Sequence, residues 1–425
     1  MPEITLTSRS LARGEVLLPG SKSLSNRILL LAALCDGPTR LHHLLDSDDV
    51  HHLRKALGKL GVPIQEQGGV VTVGGGGFQK PQAHLFLGNA GTAFRPLTAV
   101  LSATPGEWVI SGEPRMCERP IGPLVDALRQ WGAEIEYLGE EGFPPLKIKG
   151  KKLPGGPIRV DATLSSQYVS ALLMAAPLLE GPSSLEVVGE LVSQPYVNMT
   201  LGQLRQFGVN IEHEDNRHYQ IKPQKLHSPG EIMVEGDATA ASYFLAAGAI
   251  GHGPVRVCGA GSESVQGEIR FARLLEEMGA EVKWGPDWVE VSRSADHPLH
   301  GIAKDLNDIP DSAMTLAVLA LFSDSPCEIR GVGNWRVKEC DRQQALYQEL
   351  RKLGARVELL EDGLRVESPL KWKTARVETY NDHRMAMCFS LAAFGPTGVT
   401  ISNPACVSKT YPHYFADFEH LSEEL

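Results

Sequence analysis

The chain has 425 residues, of which 42% are hydrophobic and 22% charged, the balance of an ordinary soluble globular protein with room for about two or three domains. A formal net charge of −10 lacks the basic footprint of a nucleic-acid partner. The first residues carry no apolar core of a signal peptide, and the longest apolar runs, such as 313–322, are too short to cross a bilayer, so no membrane partner is expected. Seven cysteines without a CxxC pair predict reduced thiols and a cytoplasmic protein.

In chain order, the first informative segment is Pro19-Gly20-Ser21-Lys22-Ser23-Leu24-Ser25-Asn26-Arg27. It ends like a phosphate-binding P-loop, but Ser21 separates Gly20 from Lys22, and that motif needs Gly directly before Lys. What remains is a hydroxyl-rich helix start, with Lys22 at its tip and Arg27 about one turn in. His42-His43 and His51-His52 are expected on solvated surface, and no His/Cys cluster has metal-ligand spacing, so neither metal nor cofactor is predicted. Asn89-Ala90-Gly91-Thr92 opens a second helix; with Thr92 as N-cap, Pro96 falls in the first turn, where its missing N–H breaks no bond. Arg95 and Arg119 lie close by in sequence. Ser165-Ser166-Gln167 supplies neutral donors ahead of a helix that Pro177 ends, and by itself reads as simple capping.

Gly236-Asp237-Ala238-Thr239 starts a fourth apolar helix. Pro310-Asp311-Ser312 starts a fifth, and in isolation Asp311 reads as its cap. In the segment 334–342, Lys338 and Arg342 are four apart and would share a helix face beside Glu339. Among those cations Glu339 would stay ionised; to donate a proton near pH 7 it needs burial or bound anions to offset them. Asn381-Asp382-His383-Arg384 starts the sixth helix, and Lys409 follows near the end.

These motifs recur. Taking Ser23, Thr92, Ser166, Thr239, Ser312 and His383 as markers, the steps are 69, 74, 73, 73 and 71 residues. Gly61, Gly132, Gly208, Gly279 and Gly354, at steps of 71, 76, 71 and 75, each close an amphipathic segment. One period reads as strand, polar motif, buried helix, strand, amphipathic helix, strand. Six compact α/β units follow. Helix starts favour anions, and Lys22, Arg27, Arg95, Arg119, Lys338, Arg342, Arg384 and Lys409 lie in or beside the motifs. Screening confines charge effects to roughly 8 Å, so these local cations outweigh the acidic total. The pattern predicts a protein that holds several negative charges at once.

Together PGSKSLSNR (19–27), GNAGTAFRPL (88–97), RPIGPLVDALRQWGA (119–133), SSQYVSALLMAAP (165–177), SQPY (193–196), EGDATAASYFLAA (235–247), NWRVKECDR (334–342) and YNDHRMAMCFSLAA (380–393) resemble the 5-enolpyruvylshikimate-3-phosphate synthases. The resemblance covers essentially the whole chain, in order, and GNAGTAFRP is similar to the glyphosate-sensitive class. Ser312 departs from the alanine more often found there.

The resemblance implies an α/β fold, a two-domain inverse α/β barrel of six repeated βαβαββ units. Residues 1–21 and 235–425 would form one discontinuous domain and 22–234 an inserted one. It implies transfer of the enolpyruvyl group of phosphoenolpyruvate to the 5-hydroxyl of shikimate 3-phosphate, with glyphosate as inhibitor and a monomeric enzyme. Lys22, Ser23, Arg27, Ser165, Ser166, Gln167, Ser193, Tyr196, Asp311, Asn334 and Lys338 would hold shikimate 3-phosphate. Lys22, Gly91, Arg119, Gln167, Arg342, Arg384 and Lys409 would hold phosphoenolpyruvate, with Asn89, Thr92 and Arg95 shaping that pocket.

Asp311 would accept the proton of the attacking hydroxyl while Glu339 or Lys22 protonates the methylene carbon. Lys22, Lys338, His383 and Arg384 would offset charge on the departing phosphate. Lys22, Asp311 and Glu339 would titrate as a coupled set, which leaves the movement of each proton open. The sister transferase acting on UDP-N-acetylglucosamine has Lys-Asn where this chain has Lys22-Ser23. Its reactive cysteine would fall at Pro114, so Cys117 is out of register. A non-catalytic anion-binding relative is the other alternative; intact Lys22, Asp311, Glu339 and Arg384 argue against it.

Overall fold

Each apolar run behind a polar motif is a helix in the computed structural model, which describes residues 2–424. The expected domain ends at 1 and 425 lie outside the described residues. Lys22–Leu34, Gly91–Ser102 and Gln167–Ala175 are buried nearly throughout, as are Ala238–Ile250, Ala313–Leu319 and His383–Ser390. Runs this uniformly apolar can be stable only as interior helices, since they have no polar face to give to water.

The chain divides into two compact units, one of residues up to Pro19 and from Glu235 on, the other Gly20–Val234. Each has its own apolar core. In the unit Gly20–Val234 the repeat is plainest at strand Gln82–Phe86, helix Gly91–Ser102, strand Gly106–Ser111, helix Gly122–Gln130, then strands Glu134–Tyr137 and Leu146–Gly150. The first two strands pair in parallel across the buried helix, and the last two close an antiparallel hairpin. Strands Ala303–Asp305, Cys327–Arg330, Arg356–Leu359 and Leu364–Glu367 build the same four-stranded order in the other unit.

In that other unit, Ser242, Thr315 and Cys388 sit at equal 73-residue steps on the three buried helices. Ser242 and Thr315 hydroxyls are 2.8 Å apart, and Thr315 lies 3.6 Å from Cys388 Sγ. The repeat is therefore visible in space within the unit, with Thr315 meeting the equivalent position on each of the other two buried helices.

Two leading strands are exchanged relative to a consecutive reading of the repeat. Gly14–Leu17 precedes the Lys22 helix in sequence but pairs with Val255–Cys258. Glu231–Met233 precedes the Ala238 helix but pairs with Thr39–His42. The chain thus passes from one unit to the other between a leading strand and its helix. The sixth repeat also departs. Its sheet is completed by Glu3–Leu6 on Val399–Ser402, and its last helix, Tyr414–Leu421, ends at extended Ser422 without a glycine.

The other five amphipathic helices end as expected. Gly61, Gly132, Gly208, Gly279 and Gly354 all have φ between +80° and +100°. In each, the glycine N–H bonds the carbonyl three residues back and the next N–H the carbonyl five back, as Gly132 to Arg129 and Ala133 to Leu128. This satisfies carbonyls that the helix end would leave open, in a conformation that glycine adopts without steric cost.

Three local expectations are corrected. Thr92 is not an N-cap: the helix begins at Gly91 with Ala90 as cap, and Pro96 lies inside it. The Thr92 hydroxyl instead accepts from Asn26 Nδ2 at 2.8 Å, which ties two buried helices together. Asp311 does not cap its helix either; Ser312 holds that position, and Asp311 turns to charged partners described below. Lys338 and Arg342 do not share a helix, because a short 3-10 segment, Gly333–Val337, ends before Lys338 and a new helix starts at Arg342. Asp341 caps that second helix by accepting from Gln344 N–H, and so separates the two.

Among the described residues no helix is long and apolar enough to cross a membrane, and no group of His, Cys, Asp and Glu could hold a metal ion. The paired histidines divide: His51 is exposed and bonded to Asp46, while His42, His43 and His52 are partly covered.

Candidate functional site

The unit Gly20–Val234 carries cations at the starts of the first two of its three buried helices. Ser21 caps the first helix, accepting from Leu24 N–H, and so places Lys22 at its first position. Lys22 Nζ lies 3.7 Å from Asp49 Oδ2, and both side chains are nearly buried. Asp49, on helix Asp48–Lys59, was missed by sequence reasoning; in the acidic run 46–49 nothing local separates it from Asp46 or Asp48.

Arg27, one turn on, is only 3% exposed. It donates to Thr200 Oγ1 at 2.8 Å, to the Ser23 carbonyl at 2.9 Å, and at 3.5 Å to Ser170 Oγ and the Tyr196 carbonyl. All four are neutral oxygens, and no carboxylate among the described residues pairs with it. Burial pushes its pKa down to about 10, against a small opposing effect of Tyr196. A buried guanidinium without a counter-ion is poised for an anion.

The second helix start is built around Gly91. Arg119 Nη1 donates to Asn89 Oδ1 at 2.9 Å and to the Asn89 carbonyl at 3.2 Å. Arg95 Nη2 donates to the Pro120 carbonyl at 2.9 Å, and its Nη1 reaches Gln167 Oε1, at the third helix start, at 3.1 Å. A Cβ on residue 91 would stand 2.8 Å from Arg95 Nη1 and 2.9 Å from Arg119 Nη2. The missing side chain is what lets both guanidinium groups close over this helix start. Ser165 Oγ accepts from Gln167 N–H at 3.2 Å. Ser166, the cap residue, is buried, and its side chain makes no cap bond. Ser193, buried with φ +55°, begins the helix that carries the partly covered Tyr196.

The unit that contains Glu235 and the residues after it carries a different cluster. Arg342, 1% exposed, joins three carboxylates: Nη1 to Asp311 Oδ1 at 2.8 Å, Nη2 to Glu339 Oε2 at 3.0 Å, and Nε to Asp382 Oδ2 at 2.7 Å. Arg384 Nη2 is 2.9 Å from Asp311 Oδ2, and Lys338 Nζ is 3.4 Å from Asp311 Oδ1. Tyr243 OH accepts from Arg384 Nη1 at 3.1 Å. Burial alone would raise the Asp311 carboxyl, but Arg384, Lys338 and Arg342 outweigh it and hold it well below the usual aspartate range. Burial would likewise lower Arg342, yet Asp382, Glu339 and Asp311 raise it well above an ordinary arginine.

Asp382 performs two tasks: it caps the sixth buried helix, accepting from Arg384 N–H at 2.9 Å, and it orients Arg342. Sequence reasoning left it as part of a capping motif. Charge matching could have found it, since Lys338, Arg342 and Arg384 need a third carboxylate beside Asp311 and Glu339. His383 is wholly buried, its Nδ1 3.4 Å from Asp382 Oδ1. Asn334 is buried in the 3-10 segment, and Lys409, partly covered, ends another, Pro404–Lys409.

Each unit joins some of its expected residues directly, Arg95 with Gln167 and Arg119 with Asn89 in one, Asp311, Glu339, Lys338, Arg342 and Arg384 in the other, and the two halves differ in kind. The Gly20–Val234 half holds Lys22, Arg27, Arg95 and Arg119 and suits anions. The other half balances Lys338, Arg342 and Arg384 against Asp311, Glu339 and Asp382, an arrangement suited to moving protons beside anions.

The repeated βαβαββ units are those of the enolpyruvyl transferase fold. A solved EPSP synthase from Acinetobacter baumannii superimposes with a TM-score of 0.81 at 26% identity, covering 99% of this chain and 98% of that one. The enolpyruvyl transferase NikO from Streptomyces tendae, at 20% identity and a TM-score of 0.77, shares the fold. The family model for EPSP synthase (3-phosphoshikimate 1-carboxyvinyltransferase) matches residues 6–418. A 3-phosphoshikimate 1-carboxyvinyltransferase of Bordetella petrii is 54% identical, covering 97% of this chain and 96% of its own. One from Sulfurovum is 52% identical over 99% of this chain and all of its own. The chain belongs to the EPSP synthase family.

Proposed function

We propose that this protein transfers the enolpyruvyl group of phosphoenolpyruvate to the 5-hydroxyl of shikimate 3-phosphate, releasing phosphate, as a step of the shikimate pathway in aromatic amino acid biosynthesis. The observation that carries the reading is the Arg342 hub, where Asp311 and Glu339, the two carboxylates needed for proton transfer, share one guanidinium among further cations.

In addition, Asp311 takes the proton of the 5-hydroxyl as that oxygen attacks the central carbon of phosphoenolpyruvate, and Glu339 or Lys22 protonates the methylene carbon. In elimination, the group that protonated the methylene, Glu339 or Lys22, takes a methyl proton back as phosphate departs, with Lys22, Lys338, His383 and Arg384 offsetting its charge. Anionic substrate groups compete with Asp311 for Arg342, Arg384 and Lys338, which raises its affinity for a proton when it is needed. Arg27, with only neutral partners, suits an anionic group of shikimate 3-phosphate. Arg119 and Arg95 at Gly91 suit phosphoenolpyruvate and, competing with it, glyphosate. Seven unpaired cysteines fit a cytoplasmic enzyme, which we take to act as a monomer, to be checked by sedimentation.

The test is phosphate release from phosphoenolpyruvate with shikimate 3-phosphate or UDP-N-acetylglucosamine as acceptor. Release with the first alone is expected. Release with the second alone would assign the chain to the sister reaction, and release with neither would favour a non-catalytic relative.

A further inference from the structure

Asp311 stands at a sequence position that ordinarily caps a helix, yet it does not cap one. The start of helix Ala313–Leu319 is served from elsewhere: Glu268 Oε2 accepts from Ser312 N–H at 3.0 Å and from the Ser312 hydroxyl as well. Glu268 is 3% exposed and Ser312 fully buried. On the other side of Asp311, the Pro310 carbonyl accepts from Nε1 of buried Trp335 at 2.7 Å. Both peptide groups that flank Asp311 are thus pinned by buried side chains from other segments.

A local Ser or Asp would satisfy a helix start without burying a remote carboxylate. The Glu268 arrangement does something a local cap cannot: it leaves the Asp311 side chain free for Arg342, Arg384 and Lys338. Glu268 is itself rooted. Just before it, Ser264 Oγ donates to Glu235 Oε2 at 2.6 Å, while Gln266 donates to the Gly236 carbonyl at 2.7 Å and accepts from Ala238 N–H at 3.2 Å. Trp335 is rooted in the 3-10 segment that leads to Lys338. We propose that Glu268 and Trp335 are positioning residues that clamp the Asp311 backbone and thereby set its carboxylate for proton transfer. This rests on the reading of Asp311 as proton acceptor.

Proton transfer falls off steeply with displacement, on the order of 100-fold for 1 Å. The decisive comparison is Glu268→Gln against Glu268→Asp, with folding verified by circular dichroism and kcat and KM read from phosphate release. Glu268→Gln keeps an acceptor oxygen at full reach and should stay within about fivefold of the parent kcat. Glu268→Asp keeps the charge but falls one methylene short, and kcat should drop roughly 10- to 100-fold with both KM values within about threefold, an order set by reach rather than charge. A parental kcat in Glu268→Asp, a loss confined to KM, or Glu268→Asp outperforming Glu268→Gln overturns the clamp. Should Glu268→Asp fail to fold, Trp335→Phe removes the other donor and should lower kcat at constant KM; an unchanged kcat overturns the proposal. Asp311→Asn assayed alongside keeps the two readings apart. Full turnover there sinks the proton-acceptor reading and the clamp together, whereas an inactive Asp311→Asn beside a fully active Glu268→Asp sinks the clamp alone.

Discussion

Arg342 Nη1 lies 2.8 Å from Asp311 Oδ1, one of three cation contacts that set what the carboxylate does before substrate arrives. With Arg384 on its second oxygen and Lys338 close to the first, Asp311 is ionised and a weak base in the free protein. Two predictions about buried charge can be measured.

The first is pH-dependent stability. A carboxyl whose pKa is depressed on folding stabilises the fold above its unfolded pKa, and that contribution is lost as pH falls toward the folded value. Asp311→Asn should therefore destabilise by roughly 3 kcal/mol at pH 7, since it strands buried cations. The gap from the parent should hold steady from pH 7 to 5 and narrow below about pH 4, where an unfolded aspartate begins to take up its proton. Urea unfolding across that range checks it; a gap that stays constant to pH 3 would contradict the assignment.

The second concerns Arg27, the opposite case. Its pKa, pushed down to about 10 by burial, corresponds to roughly 3 kcal/mol spent holding a charge without a counter-ion. Arg27→Met should gain stability, by roughly 1–3 kcal/mol, while binding of shikimate 3-phosphate weakens at least about 100-fold. Thermal melts with and without that ligand should show stabilisation of the parent only. A variant less stable than the parent would mean that the four neutral oxygens already offset the cost of burial.

Gly91 lends itself to a binding test. Alanine there would press on the ends of two flexible side chains, Arg95 and Arg119, rather than on backbone. The fold should survive. The KM for phosphoenolpyruvate should rise on the order of 10-fold and glyphosate inhibition weaken in step, a loss of about 1.4 kcal/mol, while the KM for shikimate 3-phosphate stays within about twofold. Equal changes in both KM values would misplace the two guanidinium groups.

The helix-ending glycines should separate by their surroundings. Gly132 has φ +91° and open space where a Cβ would go, whereas at Gly354, φ +100°, a Cβ would meet the Lys371 carbonyl at 2.4 Å. Gly132→Ala should cost about 1 kcal/mol, the left-handed conformation alone. Gly354→Ala should cost more than about 3 kcal/mol, because backbone must move. Urea midpoints decide, and equal losses would show that the φ angle is the whole effect.

The period near 73 residues, the burial of the six apolar helices and the five glycine ends were legible because each depends on neighbours in sequence: an apolar run, a polar residue before it, a glycine after it. Which residue caps each helix was less so. Thr92 and Asp311 both carry good capping chemistry, but Asn26 claims the first and Arg342, Arg384 and Lys338 claim the second. A side chain can serve only the partner it reaches, and those partners come from distant segments. The same reason hid Asp49 and Glu268, carboxylates that resemble surface acids until a buried cation or a helix start is placed against them.

The sequence by itself determined the repeat, the α/β class, the cation-rich helix starts and the resemblance to the family, all carried by local pattern and residue type. Tertiary structure alone decided that Gly14–Leu17 and Glu231–Met233 exchange sheets, that Arg342 joins three carboxylates, and that Glu268 holds the Ser312 N–H at the helix start after Asp311. Strand pairings some two hundred residues apart, and contacts such as Arg342 to Asp382 across 40, leave no spacing to read. They are settled only when the cores close and each buried polar group must find a partner.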